Sequence, residues 1–306
     1  MLTAYMPTLR KPFNNSTDWY KNFYNIYYLS QVTNLTLLSY IESFIELHKN
    51  SIIDIKHDKF LKRKIISENK NKNISDWIIN DEKKFYEEIK SFDIEQGLNE
   101  IFEQQISKRF DDINSFIMPF GTKLNDDLNK EISINFNEIK ETTNAQNWYQ
   151  VITGFLNIWE FLFLFSTTEH TLKTLLSYQR SDDLFLKLLE TYPVLNFQEK
   201  GFISNDGYKV LWQLYNEVRN LYSHTHGILV RKLKDKINSK THELKVFFND
   251  DVHIMDSSFL NEEKVFNNKN LIENKFYLLN DEELNLFRNF VIVTMESLDE
   301  FITNKS

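Results

Sequence analysis

A predominantly all-α protein is predicted by three observations. Glycine (6) and proline (4) are scarce in a chain of 306 residues, which favours long helices over a turn-rich β architecture. Apolar residues recur at three- and four-residue spacing through long stretches. Hydrophobic residues make up 42% and aromatic residues 15%, so the chain can fill a substantial core and is not of disordered composition.

Taken in order, residues 17–48 place Tyr20, Phe23, Ile26 and Tyr27, then Leu37, Leu38, Ile41, Phe44 and Ile45, at helical spacing, and predict one or two helices. From Ser51 to Thr143 shorter helices are expected, separated by joints such as ENKNKNISD. The segment MPFGTKLNDD, with Pro119 and Gly121 close together, reads as a true break. A new block starts near Asn144. The expected organisation is therefore a helical N-terminal region, 1–143, in which no chemistry is legible, and a helical domain over 144–306. Helices are expected there at 146–180, 183–191, 206–226 and 281–303. Residues 241–256, THELKVFFNDDVHIMD, are rich in Val and Phe between Asn/Asp clusters and are read as a short strand or hairpin.

Composition also narrows function. The run 151–170, VITGFLNIWEFLFLFSTTEH, resembles a membrane span but carries Asn157 and Glu160 inside it, and is read as a buried core helix. The absence of cysteine removes disulfides and thiolate metal sites, and the first residues lack a signal-peptide layout, so a cytoplasmic protein is expected. A net charge of −8 argues against a nucleic-acid binder held by bulk charge, but leaves room for a local basic cleft.

The chemistry concentrates in SNDGYKVLWQLYNEVRNLYSHTHG, residues 204–227. Asn205 or Asp206 is placed to cap this helix and Gly227 to end it. On a wheel of about 100° per residue, Leu211, Leu214, Tyr215, Leu221 and Tyr222 fall within about 60° of Val218 and form one apolar stripe. Arg219, Ser223, Asn220 and His224 lie off it. Such a polar end is a solvated face, or it is a site. Metal binding by His224 and His226 fits poorly, because residues two apart on a helix diverge by about 200° and no nearby carboxylate completes a ligand set. No metal or other cofactor is expected.

Together these groups suit RNA cleavage. That reaction needs a base for the 2′-OH, an acid for the leaving 5′-oxygen and positive charge on the phosphate between them. Imidazole fills either proton-transfer role, and guanidinium grips phosphate oxygens with a fork of donors. Asn220 lies one turn before His224 and is placed to orient its ring. Downstream, VRKLKDKINSK supplies Arg231, Lys232, Lys234 and Lys236, a solvated run or a track for an RNA backbone.

Arg219, Asn220 and His224 at a helix end, with Gly227 just beyond, resemble the motif of the HEPN (higher eukaryotes and prokaryotes nucleotide-binding) superfamily. An earlier stretch, FSTTEHTLKTLL, resembles the family's acidic helix, with Glu169 in the acidic position. The resemblance covers residues 144–232 and leaves the N-terminal half unaccounted for. It implies a helical bundle that dimerises with two motifs facing one cleft, and metal-independent endoribonuclease activity. It further implies a toxin or phage-defence effector, with an antitoxin or activating partner. One toxin branch carries a tyrosine, modified by a partner nucleotidyltransferase, where this chain has His226. That residue lies near Arg219 on the wheel and is a candidate auxiliary group, as is Glu169. Two other readings compete: a non-catalytic module that holds RNA or a nucleotide in the same cleft, and a helical interaction protein.

Overall fold

The computed structural model describes residues 7–68, 102–105, 108–109, 136–199, 203–251, 265–267 and 270–305. Its principal helices are α1 (Asp18–Glu68), α2 (Phe136–Thr143), α3 (Trp148–Leu176), α4 (Leu184–Thr191), α5 (Asn205–Thr225), α6 (Arg231–Asp251) and α7 (Asp281–Lys305). A short 3-10 turn, Phe197–Glu199, leads into α5. Among the described residues there is no strand, only one isolated antiparallel bridge between Ile228 and Phe276. The fold is all-α.

One expectation is corrected. Residues 241–251 are not a strand or hairpin but the last turns of α6. Ile237, Thr241 and Leu244 are buried at spacings of four and three, and this helical register overrides the local preference of Val246 and Phe247 for strand. Residues 252–256 lie outside the described residues. So do the expected break at 118–127 and most of the joint at 68–76. The stretch 17–48, read as one or two helices, is a single helix that continues to Glu68.

The chain divides into two compact units. One comprises residues 1–35, 141–145 and 149–306, the other 36–140 and 146–148. The first 35 residues thus belong to the same unit as residues 149–306. The reason is a set of bonds to the end of α7. Asp299, 1% exposed, accepts from the Thr17 backbone at 2.9 Å, from Ser16 at 2.9 Å and from Arg10 at 3.1 Å. Tyr20, Phe23 and Tyr27 are buried on the following turns of α1. In the other unit Phe44 lies 5.0 Å from Phe102, and Glu103 pairs with Lys140 at 3.0 Å and accepts from the Trp148 indole at 3.1 Å.

The core of the larger unit is aromatic. Phe161 and Phe165 of α3, Trp212 and Tyr215 of α5, and Phe287 and Phe290 of α7 are fully buried and contact one another edge-on and stacked. Aromatic rings bring large apolar area per residue, and this is where the three helices meet. α3 is the one described helix long and apolar enough to cross a membrane, yet half of its apolar window is buried within the protein. Its two interior polar residues are satisfied by neighbours. Glu160, wholly buried, receives Arg288 of α7 through two bonds of 2.8 and 2.6 Å, and Asn34 as well. Asn157 donates to the Leu279 carbonyl at 3.1 Å and to Asp281 at 2.8 Å. α3 thus has the partners of a core helix.

Candidate functional site

α5 carries the site. Its cap is Ser204, whose hydroxyl accepts from the Gly207 N–H at 3.4 Å, rather than Asn205 or Asp206. Asn205 instead accepts from the Phe197 N–H at 2.9 Å and donates to the Leu195 carbonyl at 2.8 Å, fixing the entry to the helix. The apolar stripe is buried as expected: Leu211, Leu214, Tyr215, Val218, Leu221 and Tyr222 all face the core.

Arg219 occupies the edge of that stripe, its side chain 25% exposed. Its guanidinium lies 5.7 Å from the centre of the Phe165 ring, donates to the Asn220 side chain at 3.0 Å and pairs with Glu169 of α3 at 3.5 Å. Glu169 also pairs with Lys173 at 3.1 Å and accepts a short hydrogen bond from Ser181. Burial works to raise the Glu169 carboxyl, but the Ser181 hydroxyl, Lys173 and Arg219 outweigh it and hold the group below its ordinary range. Glu169 is thereby a fixed anion, suited to hold a cation rather than to give up a proton. The guanidinium keeps further N–H groups for an incoming anion.

The loop between α3 and α4 is tied onto the same face. The Trp212 indole donates to the Ser181 carbonyl at 2.9 Å, and Asn216 donates to Asp182 at 2.7 Å. Lys173, Ser181, Asp182 and Asn216 complete this face beyond the residues the sequence motif contains. The Glu169–Lys173 spacing of four and the position of Asn216 one turn before Asn220 were legible signals. Ser181 and Asp182 become visible only once the loop is folded back.

α5 ends at Thr225, and the next two residues are both left-handed, His226 at φ 53° and Gly227 at φ 82°. The backbone N–H groups of both turn back to the Leu221 carbonyl. The stop therefore starts one residue earlier than Gly227. His226 has left the helix, so the wheel position beside Arg219 does not exist for it. The turn is clamped by the segment before α7. Gly227 accepts from the Tyr277 N–H at 2.9 Å, Leu229 donates to the Lys275 carbonyl at 2.9 Å, and a β-carbon on Gly227 would fall 2.3 Å from the Phe276 ring.

The structure thus joins Glu169, Arg219 and Asn220 in one cluster. His224 and His226 stand outside it, both exposed and with no side-chain hydrogen bond or ion pair among the described residues. Arg231 and Lys232 are exposed at the start of α6, and Lys234 is half-buried on the next turn. Lys236 is engaged by Glu217 at 2.7 Å. Among the described residues no three His, Asp or Glu side chains cluster as metal ligands would. Comparison with family models, with curated proteins and with solved structures gave no match.

Proposed function

We propose that the end of α5 is the active site of a metal-independent endoribonuclease of HEPN type. The observation that supports it is the cluster Glu169–Arg219–Asn220, in which two helices and an aromatic face hold one guanidinium in place, with an exposed histidine, His224, one turn beyond Asn220 on the same helix. A pre-positioned cation of this kind stabilises the charge that grows on phosphate oxygens during the displacement. His224, without other partners among the described residues, transfers the proton to or from the ribose oxygens. Asn220 is a positioning residue. Arg231, Lys232 and Lys234 lie just past the turn and meet the flanking backbone of the RNA.

Arg219 and His224 are five residues apart and diverge by about 140° around the helix, so one protomer does not easily bring both to one phosphate. A two-fold homodimer resolves this, with Arg219 of one chain facing His224 of its partner across a shared cleft. In a cell the activity suits a cytoplasmic toxin or phage-defence effector restrained or triggered by another component. The alternative, a module that holds RNA without cleaving it, is favoured by the ion pair with Glu169, which offsets part of the Arg219 charge. Purified protein, Arg219→Ala and His224→Ala compared on total RNA separate the two. Loss of cleavage in both variants at unchanged melting temperature supports the enzyme. Cleavage indifferent to both substitutions overturns it.

A further inference from the structure

The N-terminal half of α3 presents an aromatic face that the core does not use. Phe155 is 48% exposed and Trp159, one turn on, is 47% exposed. Each is backed by a second ring. Phe155 stacks on Phe276 with ring centres 5.0 Å apart and planes inclined by 29°. Trp159 lies against Phe163 at 5.9 Å and 13°. Two large rings that are outward-facing yet individually supported are fixed in orientation, unlike a scattering of surface apolar side chains.

This face is continuous with the candidate site. Phe276, the ring beneath Phe155, is also the ring that a β-carbon on Gly227 would strike, and its backbone bridges Ile228. α3 lies flush on the same segment, since a β-carbon on Gly154 would fall 2.8 Å from Leu278. From the left-handed turn that ends α5, the surface therefore runs through Phe276 to Phe155 and Trp159 without leaving one packed body. Cationic groups border its start: Arg231 and Lys232 are exposed just past the turn, and Lys275 precedes Phe276, against one exposed acid of that loop, Glu273.

We infer that Phe155 and Trp159 form a stacking platform for unpaired bases, so that the RNA taken by this site is single-stranded next to the cleaved phosphate. The inference rests on the ribonuclease reading for the position of the phosphate. Flat rings spaced one helical turn apart, with cations beside them, are the ingredients of sequence-tolerant single-strand binding, whereas paired bases in a duplex expose no face to stack on. An intact A-form helix meets the same surface only through its backbone.

The test uses full-length His224→Ala protein, so that binding is read without cleavage, with a fluorescein-labelled 12-nucleotide oligouridylate and an RNA duplex of equal length. Phe155→Ala/Trp159→Ala is expected to weaken single-strand binding by about tenfold or more per ring, with the circular-dichroism melt retained. Phe155→Tyr/Trp159→Phe, which keeps both rings, is expected to bind like the parent. Duplex binding should be weaker and indifferent to both changes. Failure of the parent to bind the oligouridylate, or equal binding by the alanine pair, overturns the inference. So does an alanine pair whose only effect is to convert a dimer to a monomer, or to abolish binding to phosphatidylcholine vesicles. Cleavage that depends on His224 alongside ring-independent binding removes this inference alone. Ring-dependent binding with no cleavage of any RNA by the wild-type protein removes the ribonuclease reading and leaves the platform standing.

Discussion

His224 and Leu221 sit less than one turn apart on α5 and have opposite surroundings. Leu221 is fully buried in the core, and Leu221→Ala is expected to cost about 2–5 kcal/mol of stability through the cavity it leaves. His224 is exposed, and His224→Ala is expected to leave the melting temperature within a degree or two of wild type, roughly the scatter of surface substitutions. Thermal melts of both variants check the pair, and a large drop for His224→Ala would make the ring structural. Glu283 gives a residue-scale prediction of another kind. Wholly buried, it accepts from the Phe266 N–H at 2.8 Å, the Tyr277 hydroxyl at 2.5 Å and the Asn280 N–H at 3.0 Å. Burial nevertheless pushes its carboxyl up from 4.5 to about 7, against the pull of those donors. Between these two values the folded protein retains a proton that the unfolded chain has released. This group's contribution to stability is therefore present below pH 4.5 and is lost as pH rises towards 7. Denaturant unfolding at pH 5 and pH 7.5 should show that slope in the wild type and a flatter one in Glu283→Gln. An unchanged slope in the variant would refute the assignment.

At the scale of elements, the α5–α6 turn depends on one position. Gly227 is left-handed and lies against Phe276, so Gly227→Ala adds a strained backbone and a clash together. A loss of about 1–3 kcal/mol is expected from the backbone alone, measurable by denaturant titration. The elements themselves were largely legible in the sequence. α4, α5 and α7 fall within two residues of their expected limits, because apolar periodicity, Gly227 and the acidic start of α7 are local signals. α6 is not legible over 241–251, where local Val and Phe content competes with a buried Ile237–Thr241–Leu244 register that only the packing of α6 on α5 reveals. The site divides in the same way. Arg219 and Asn220 are legible from their spacing along α5, and Glu169 only from the resemblance of its stretch to the family's acidic helix. Ser181 and Asp182 come from a loop folded back over α5, and no spacing rule reaches across it. A helical wheel does not place His226, because it assumes a helix and the chain leaves the helix at that residue.

For the whole molecule, the buried Glu160–Arg288 pair links α3 to α7 across the larger unit. Arg288→Met strands a carboxylate in the core and should cost about 3–5 kcal/mol, read as a lower denaturant midpoint. The first 35 residues belong to that unit, tied to the end of α7 through Asp299. The composite-dimer arrangement is a whole-molecule claim too. Differently tagged Arg219→Ala and His224→Ala chains, co-expressed and purified as the mixed dimer, retain one arginine and one histidine on opposite chains. They should recover part of the activity that each homodimer lacks, whereas a monomer that cleaves at full rate rules the arrangement out. The central claim is that proton transfer by His224 beside a fixed Arg219 cleaves RNA without a metal. Its most direct test is to incubate the purified protein, with and without His224→Ala, on total RNA in excess EDTA and to identify the ends produced. The account predicts fragments with 2′,3′-cyclic phosphate or 3′-phosphate ends from the wild type and none from the variant. Cleavage abolished by EDTA and restored by magnesium, or ends that His224→Ala forms equally well, would contradict it.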